Sequence, residues 1–372
     1  MFGRIAAIQA ETGAINFGQG FPDQEGPSEV VDAMVAALRA GRNQYAAMRG
    51  ELVLREAIAS HQRTFYGLAV DPDTEVAVTT GASEAMAATL LALIEQGDEV
   101  VVLEPYYDAY AAGLEIVGAV RRPVLLSAPD FLLDEQVLRD ALSSRTRAII
   151  VNTPHNPTGR VLTSEELELL TRTAREHDLI VITDEVYEHV TFDGRAHVPL
   201  ATLPGMWERT LTISGSGKSF SFTGWKIGWA IGPEPLVSAV LAAKQWLTFT
   251  TNAPAQVGIA AALTEHRDYL RRRPADLAAR RDRLCEGLAS AGLPVFVPQG
   301  TFYALTDVSR LGWSDGLQFC LALPERAGVI AVPVDGFYDH PGGRHMVRWT
   351  FAKDVRAIDE GIRRLGCAQL CR

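Results

Sequence analysis

Lysine is scarce in this sequence. Across 372 residues only Lys218, Lys226, Lys244 and Lys353 carry a side-chain amine, so 31 of the 35 basic residues (35 − 4) are arginine. Chemistry that needs such an amine therefore has four candidates. Cysteine is as sparse. Cys285, Cys320, Cys367 and Cys371 form no C-x-x-C pair, and no histidine joins them at zinc-site spacing. That excludes a thiolate metal centre and gives no sign of an oxidising compartment, so reduced thiols are expected. Cys367 and Cys371, four apart, can share a helix face. No apolar run is long enough to span a membrane, and the N-terminus has neither the apolar core nor the cleavage site of a signal peptide. An excess of positive charge is missing too. The formal net charge is −10 and the isoelectric point lies near 5.4. An acidic surface of this size argues against nucleic acid and anionic membranes as partners, but not against a small anionic ligand, which answers to local charge. A cytoplasmic enzyme fits.

What is present is ample apolar material. Hydrophobic residues make up 47% of the chain, enough for a large core and more than one small domain needs. Through the middle of the chain, short β-branched runs alternate with helical patterns. Strands are expected at 76–79, 99–103, 148–151, 179–183, 211–213 and Ile227–Ile231, with helices at 84–95, 108–117 and 164–177. Thr163 and Ser164 offer caps to the last helix, and Glu165 to Glu168 give it an acidic first turn. Such alternation means βαβ units, an α/β fold and a mostly parallel sheet covered on both faces. After Pro274 the pattern changes to a long arginine-rich helix (276–291), strands at 295–297, 302–307 and 345–351, and helices at Gly316–Ala327 and 355–365. The expected division is a large domain over residues 46–274 and a smaller α+β domain over 275–372, with 1–45 packing on the latter.

Open parallel sheets bind ligands beyond the C-terminal ends of their strands, so the residues that follow each strand matter most. After 76–79 comes Thr80-Gly81-Ala82-Ser83-Glu84, a glycine turn opening a helix. Its backbone N–H groups and dipole suit either a phosphate or a plain cap. After 99–103 come Tyr106 and Tyr107, which can cover a flat ring or simply pack. After 148–151 comes the turn-rich NTPHNPTG, with the amides of Asn152 and Asn156 aimed across the strand ends. Asp184 ends a buried apolar strand, which is costly unless it meets a cation or strong donors. After 211–213 comes Ser214-Gly215-Ser216-Gly217-Lys218-Ser219. Its Gly-Lys-Ser ending invites a P-loop reading, but position 212 is Thr where the first glycine belongs, and Phe220–Trp225 reads as a turn rather than a helix. A nucleophile elbow at Gly81–Ala85 fails on its last residue and lacks an oxyanion loop.

Together these pieces form a different inventory. One sheet end gathers a lysine, an aspartate, an asparagine, a tyrosine, a stacking aromatic and an anion turn. Pyridoxal 5′-phosphate (PLP) needs an amine for a Schiff base, an aspartate for its pyridine nitrogen and a phosphate cradle.

At this point the residues resemble a known family. The run Ser214–Gly228 (SGSGKSFSFTGWKIG) is similar to the Schiff-base motif of class I/II aminotransferases of PLP fold type I. NTPHNPTG (152–159), TDEVY (183–187), GQGFPD (18–23), NQY (43–45), EPYYD (104–108) and Arg348 in a late strand complete the pattern over essentially the whole chain. The resemblance implies a large domain with a mostly parallel seven-stranded sheet sandwiched by helices, and a homodimer with the active site at the subunit interface. It implies that Lys218 binds PLP covalently and shuttles the substrate α-proton. Asp184 should pair with the pyridine nitrogen, Asn156 and Tyr187 with the ring hydroxyl oxygen, and Tyr107 should stack on the ring. Ala82, Ser83, Ser216 and Lys226 should hold the phosphate, with Tyr45 reaching that of the partner subunit. Arg348 should clamp the substrate α-carboxylate by a two-pronged bond, assisted by Asn152 and the Gly20 backbone. No metal is implied.

Within the family the phrases GQGFPD, NQY, ITDEVYEH and TGWKIGW are similar to the kynurenine/glutamine transaminase branch, and inside it to actinobacterial-type N-succinyldiaminopimelate aminotransferases. The implied reaction moves an α-amino group from an L-amino acid to a 2-oxo acid, with 2-oxoglutarate/glutamate as one pair. N-succinyl-LL-2,6-diaminopimelate is the best substrate match. Kynurenine, glutamine or methionine transamination, with cysteine-conjugate β-lyase activity, is the alternative. The family pattern has more residues before its first motif, including a substrate-covering aromatic missing here. Arg49 stands where relatives tend to be uncharged; it is either a distal-carboxylate ligand across a dimer or a solvent-facing residue. Thr251 and Asn252 replace bulkier groups of the kynurenine enzymes.

Overall fold

Strands that are apolar on both sides must be covered on both sides, and the computed structural model, which describes residues 9–372, covers them with helices. After β1 (Ile15–Asn16), seven strands build the central sheet: β2 (Val76–Thr80), β3 (Glu99–Glu104), β4 (Val120–Leu125), β5 (Thr146–Asn152), β6 (Ile180–Asp184), β7 (Thr210–Gly215) and β8 (Ile227–Ile231). Their order is β2-β8-β7-β6-β5-β3-β4. Only β8 runs against its neighbours, β2 and β7; the other adjacent pairs are parallel. The two-residue period of a strand divides the core. Val100, Val102, Ile150, Ile182 and Ile213 pack into one layer. Val101, Leu103, Ile149, Val151 and Val181 pack into the opposite one. The helix Ser164–Glu176 starts on a capping box in which Thr163 and Glu166 bond each other's backbone.

Two departures from the sequence reading have a clear physical reason. β4 (VRRPVL) was not among the expected strands, because Pro123 and two arginines spoil its pattern. It lies at the sheet edge, where a proline costs no ladder bond on the open side. The arginine-rich helix spans Arg267–Ser290, with Pro274 inside it. A proline within a helix forfeits one hydrogen bond, yet Leu270 and Leu277 on either side are buried and carry the helix through.

A second, antiparallel sheet has the order β12 (Val332–Pro333), β13 (Met346–Thr350), β10 (Tyr303–Asp307), β9 (Val295–Phe296). β1 pairs in parallel with β11 (Val329–Ile330). Arg348 lies in the middle of β13, opposite Leu305 of β10 and Val332 of β12. No helix among the described residues is long and apolar enough to cross a membrane.

Candidate active site

The C-terminal ends of β3, β5, β6 and β7 open into one cavity of about 270 Å3. Lys218 reaches it from the short helix Ser216–Ser219 that follows β7, and Asp184 from the end of β6. Asn152, Asn156 and Tyr187 enter from the β5 and β6 loops, and Tyr107 from the β3 exit. Ala82 and Ser83 contribute the first turn of the helix Gly81–Leu93; Gly20 and Arg348 close the opposite wall. Motifs separated by most of the chain thus meet around one space.

The hydrogen bonds show how each group is held. Lys218 Nζ donates to the Gly20 carbonyl at 2.8 Å. Asn152 donates to the Asp184 carbonyl at 2.8 Å and accepts from the Asn156 N–H at 2.7 Å, which ties the β5 loop to β6. Arg348 Nη1 donates to Asn156 Oδ1 at 3.0 Å, while its buried Nε has no partner among the described residues. Its guanidinium lies 4.0 Å from the Tyr303 ring centre and 4.8 Å from that of Phe337. The Tyr187 and Tyr303 hydroxyls are 3.4 Å apart.

Three of the expected residues do not line the cavity itself. Ser216 is fully buried outside the cavity and donates to the Ile227 carbonyl at 3.1 Å. Lys226 stands beside the helix start, its Nζ 3.5 Å from Ser83 Oγ. Tyr45 is 83% exposed, edge-on to Phe249. Arg49 does not line this cavity; its guanidinium donates to the Thr74 carbonyl at 3.0 Å, at the start of β2. The cavity also contains residues the sequence reading missed. Tyr110 sits one helical turn beyond Tyr107, and this i,i+3 spacing was the available signal. Tyr303 comes from β10 and carries no local motif.

The lysines now separate. Lys244 donates to the Phe249 carbonyl and Lys353 pairs with Asp23. Lys218 alone of the four lines the cavity.

The donor set fits PLP. Burial raises the pKa of Asp184, and hydrogen bonds from the Tyr110 hydroxyl and the Val186 N–H pull it only partly back. Among the described residues no cation forms an ion pair with this carboxylate, and a protonated ring nitrogen would supply one. At the other end Gly81, with φ at +75°, brings the start of the helix against Lys226. A Cβ there would lie 3.1 Å from Lys226 Cε and Nζ. Unpaired first-turn N–H groups beside a lysine make an anion cradle.

Behind the loop after Asp184 lies a buried polar cluster. His61 Nε2 and His189 Nε2 share a hydrogen bond of 2.7 Å. Glu188 accepts from Tyr66 at 2.7 Å and from Ser214 at 2.5 Å, linking the Asp184 loop to the strand that leads to Lys218. Burial pushes His61 and His189 down to about 3, and His155 down to about 4. These rings stay neutral when folded but take up protons near pH 6.5 when unfolded. Their stabilising contribution is therefore full above pH 6.5 and is lost as the pH falls toward 3–4. The expected slope is about 1.4 kcal/mol per pH unit for each proton taken up. His197 acts oppositely, because the charge and hydrogen bond of Glu185 outweigh burial and raise its pKa. A melting-temperature series from pH 7 to 4 should fall steeply, and His61→Gln should flatten it. An unchanged slope in that variant would contradict the burial of a neutral ring.

Comparison with known proteins agrees with this geometry. Residues 12–365 match the family described as aminotransferase class I and II. A Mycobacterium tuberculosis protein described as a probable N-succinyldiaminopimelate aminotransferase is 46% identical, covering 98% of this chain and 95% of its own length. The solved structure of N-succinyldiaminopimelate aminotransferase from that organism superposes with a TM-score of 0.96, covering 98% of this chain and 96% of that one. An Escherichia coli methionine aminotransferase is 35% identical, with the same 98% and 95% coverage, and its structure gives a TM-score of 0.95. The human kynurenine–oxoglutarate transaminase 1 is 34% identical over 96% of this chain and 93% of its own. The family is generally PLP-dependent. With its seven-stranded sheet and strand-end cavity, this chain is an enzyme of the transaminase class and belongs to the class I and II aminotransferase family of fold type I.

Proposed function

We propose that this enzyme uses PLP bound at Lys218 to move the α-amino group of N-succinyl-LL-2,6-diaminopimelate to 2-oxoglutarate. The observation that carries the cofactor reading is the meeting of Lys218, Asp184 and the Gly81–Ser83 helix start in one cavity. The substrate reading rests on the 46% identity to the M. tuberculosis relative over nearly the full length of both chains.

PLP, when bound, supplies an aldehyde that condenses with amines and a ring that withdraws electrons from the α-carbon. The chain's own groups do the rest. Lys218 Nζ would hold the cofactor and, when free, would carry the proton to and from the substrate α-carbon. Asp184 keeps the ring nitrogen protonated. Asn156 and Tyr187 hold the ring hydroxyl oxygen, and Tyr107 covers one face. Ala82, Ser83 and Lys226 hold the phosphate, with Ser216 bracing the turn through Ile227. Arg348 is buried, and among the described residues no carboxylate pairs with it, so an incoming α-carboxylate supplies the missing charge. Asn152 and Gly20 border that position.

The active unit is read as a homodimer in the cytoplasm. Tyr45 and Trp246, each 83% exposed, and the exposed Phe249 that packs edge-on against Tyr45 support a face on which a second copy sits. There Tyr45 reaches the partner's phosphate.

A panel of amino donors against 2-oxoglutarate tests the substrate. N-succinyl-diaminopimelate should give a kcat/KM at least about tenfold above kynurenine, glutamine and methionine, the difference that roughly 1.4 kcal/mol of extra transition-state binding produces. Methionine or kynurenine at the top of the panel would replace this reading with that of the 34–35% relatives.

A further inference from the structure

The carboxylate of Asp184 has one side-chain donor among the described residues, and it is a tyrosine. Tyr110 Oη lies 2.5 Å from Asp184 Oδ2, in a contact buried from solvent. The same tyrosine lines the cavity wall. Its ring stands edge-on to Tyr107, with centres 5.7 Å apart and planes at 89°. The pair comes from one helix turn at the β3 exit, so Tyr107 and Tyr110 are set by the same backbone.

We propose that Tyr110 is a positioning residue for Asp184: its hydroxyl fixes the carboxylate and keeps it ionised to receive the ring nitrogen of the cofactor. The inference rests on the PLP reading above and deepens it. A carboxylate has about four acceptor directions. Tyr110 takes one on Oδ2 and the Val186 N–H takes one on Oδ1 at 3.3 Å, which holds the group at both oxygens and still leaves acceptor directions free for the ring N–H. The other charges facing Asp184 do not do this. Glu185 repels it, and Lys218 attracts it without a hydrogen bond. Burial favours the neutral acid, and of the groups around it the Tyr110 hydroxyl opposes burial most strongly. The tyrosine is itself held protonated, because burial and the adjacent carboxylate raise its pKa, so it remains a donor over the working pH range.

Tyr110→Phe keeps the ring and removes the donor. The variant loses a hydrogen bond to a charged group, so the dissociation constant for PLP, measured by equilibrium dialysis on stripped enzyme, should rise roughly tenfold or more. Asp184→Ala serves as the reference for complete loss. The ligand-free protein gives an independent readout. Without the hydroxyl the Asp184 pKa moves further up, and a raised folded pKa costs stability as the pH climbs through it. The drop in melting temperature of Tyr110→Phe should therefore be larger at pH 8 than at pH 4.5. A tyrosine that only packs would give the same drop at both. The proposal fails if the variant binds PLP within twofold of the parent while Asp184→Ala binds weakly, or if the two drops are equal. Failure of the parent to take up PLP would instead overturn the cofactor reading, and the melting series would still decide whether Tyr110 governs Asp184.

Discussion

Lys218→Ala is expected to lose transamination by ~10,000-fold or more and to lack the visible absorbance of the bound cofactor. Two functions vanish with one nitrogen: the covalent anchor and the mobile base at the α-carbon. The sequence leaves little room for rescue. Lys226 Nζ stands at Ser83, at the phosphate end, and Lys244 and Lys353 are engaged away from the cavity. Borohydride treatment of the parent in PLP should label the peptide spanning residue 218 and leave the variant unlabelled. Parent-like turnover in the variant, or a label on another lysine, would refute the assignment.

Asp184→Ala is the second large effect. Here the loss is electrostatic. A buried carboxylate raised in pKa by its surroundings gains most when a cation arrives. Deleting it removes a preorganised charge at the point where electron withdrawal is needed, and such deletions cost about 100- to 1,000-fold in kcat. PLP affinity should fall as well. Single-turnover measurement at saturating PLP separates the two losses. A variant that binds PLP weakly but turns over at the parent rate when saturated would show that Asp184 holds the ring without activating it.

Groups that follow strands directly were legible, because strand ends of a parallel sheet point one way and the chain supplies its chemistry in local motifs. Asp184, Asn156 and Lys218 came out of the sequence for that reason. Contacts made between distant segments were not. Asn156 meets Arg348 across 192 positions, and nothing local in either segment encodes the bond. Tyr303 enters from a different sheet altogether. Ser216 shows the opposite error, since a motif position fixed its identity but not its direction, and its hydroxyl turns inward to the Ile227 carbonyl. β4 was hidden because an edge strand is allowed residues that a central strand is not.

That edge has a counterpart at the far side. β2 is flanked by the Arg49 segment, whose carbonyl accepts the Val78 N–H at 2.9 Å while its guanidinium occupies the Thr74 carbonyl. On the other flank β4 presents Pro123 and charged Arg121 and Arg122. Each rim thus carries a feature that discourages pairing with a foreign strand, a crossing segment on one side and a proline with two charges on the other. Growth of the sheet by added strands is thereby discouraged at both ends, and with it the edge-to-edge stacking that seeds amyloid.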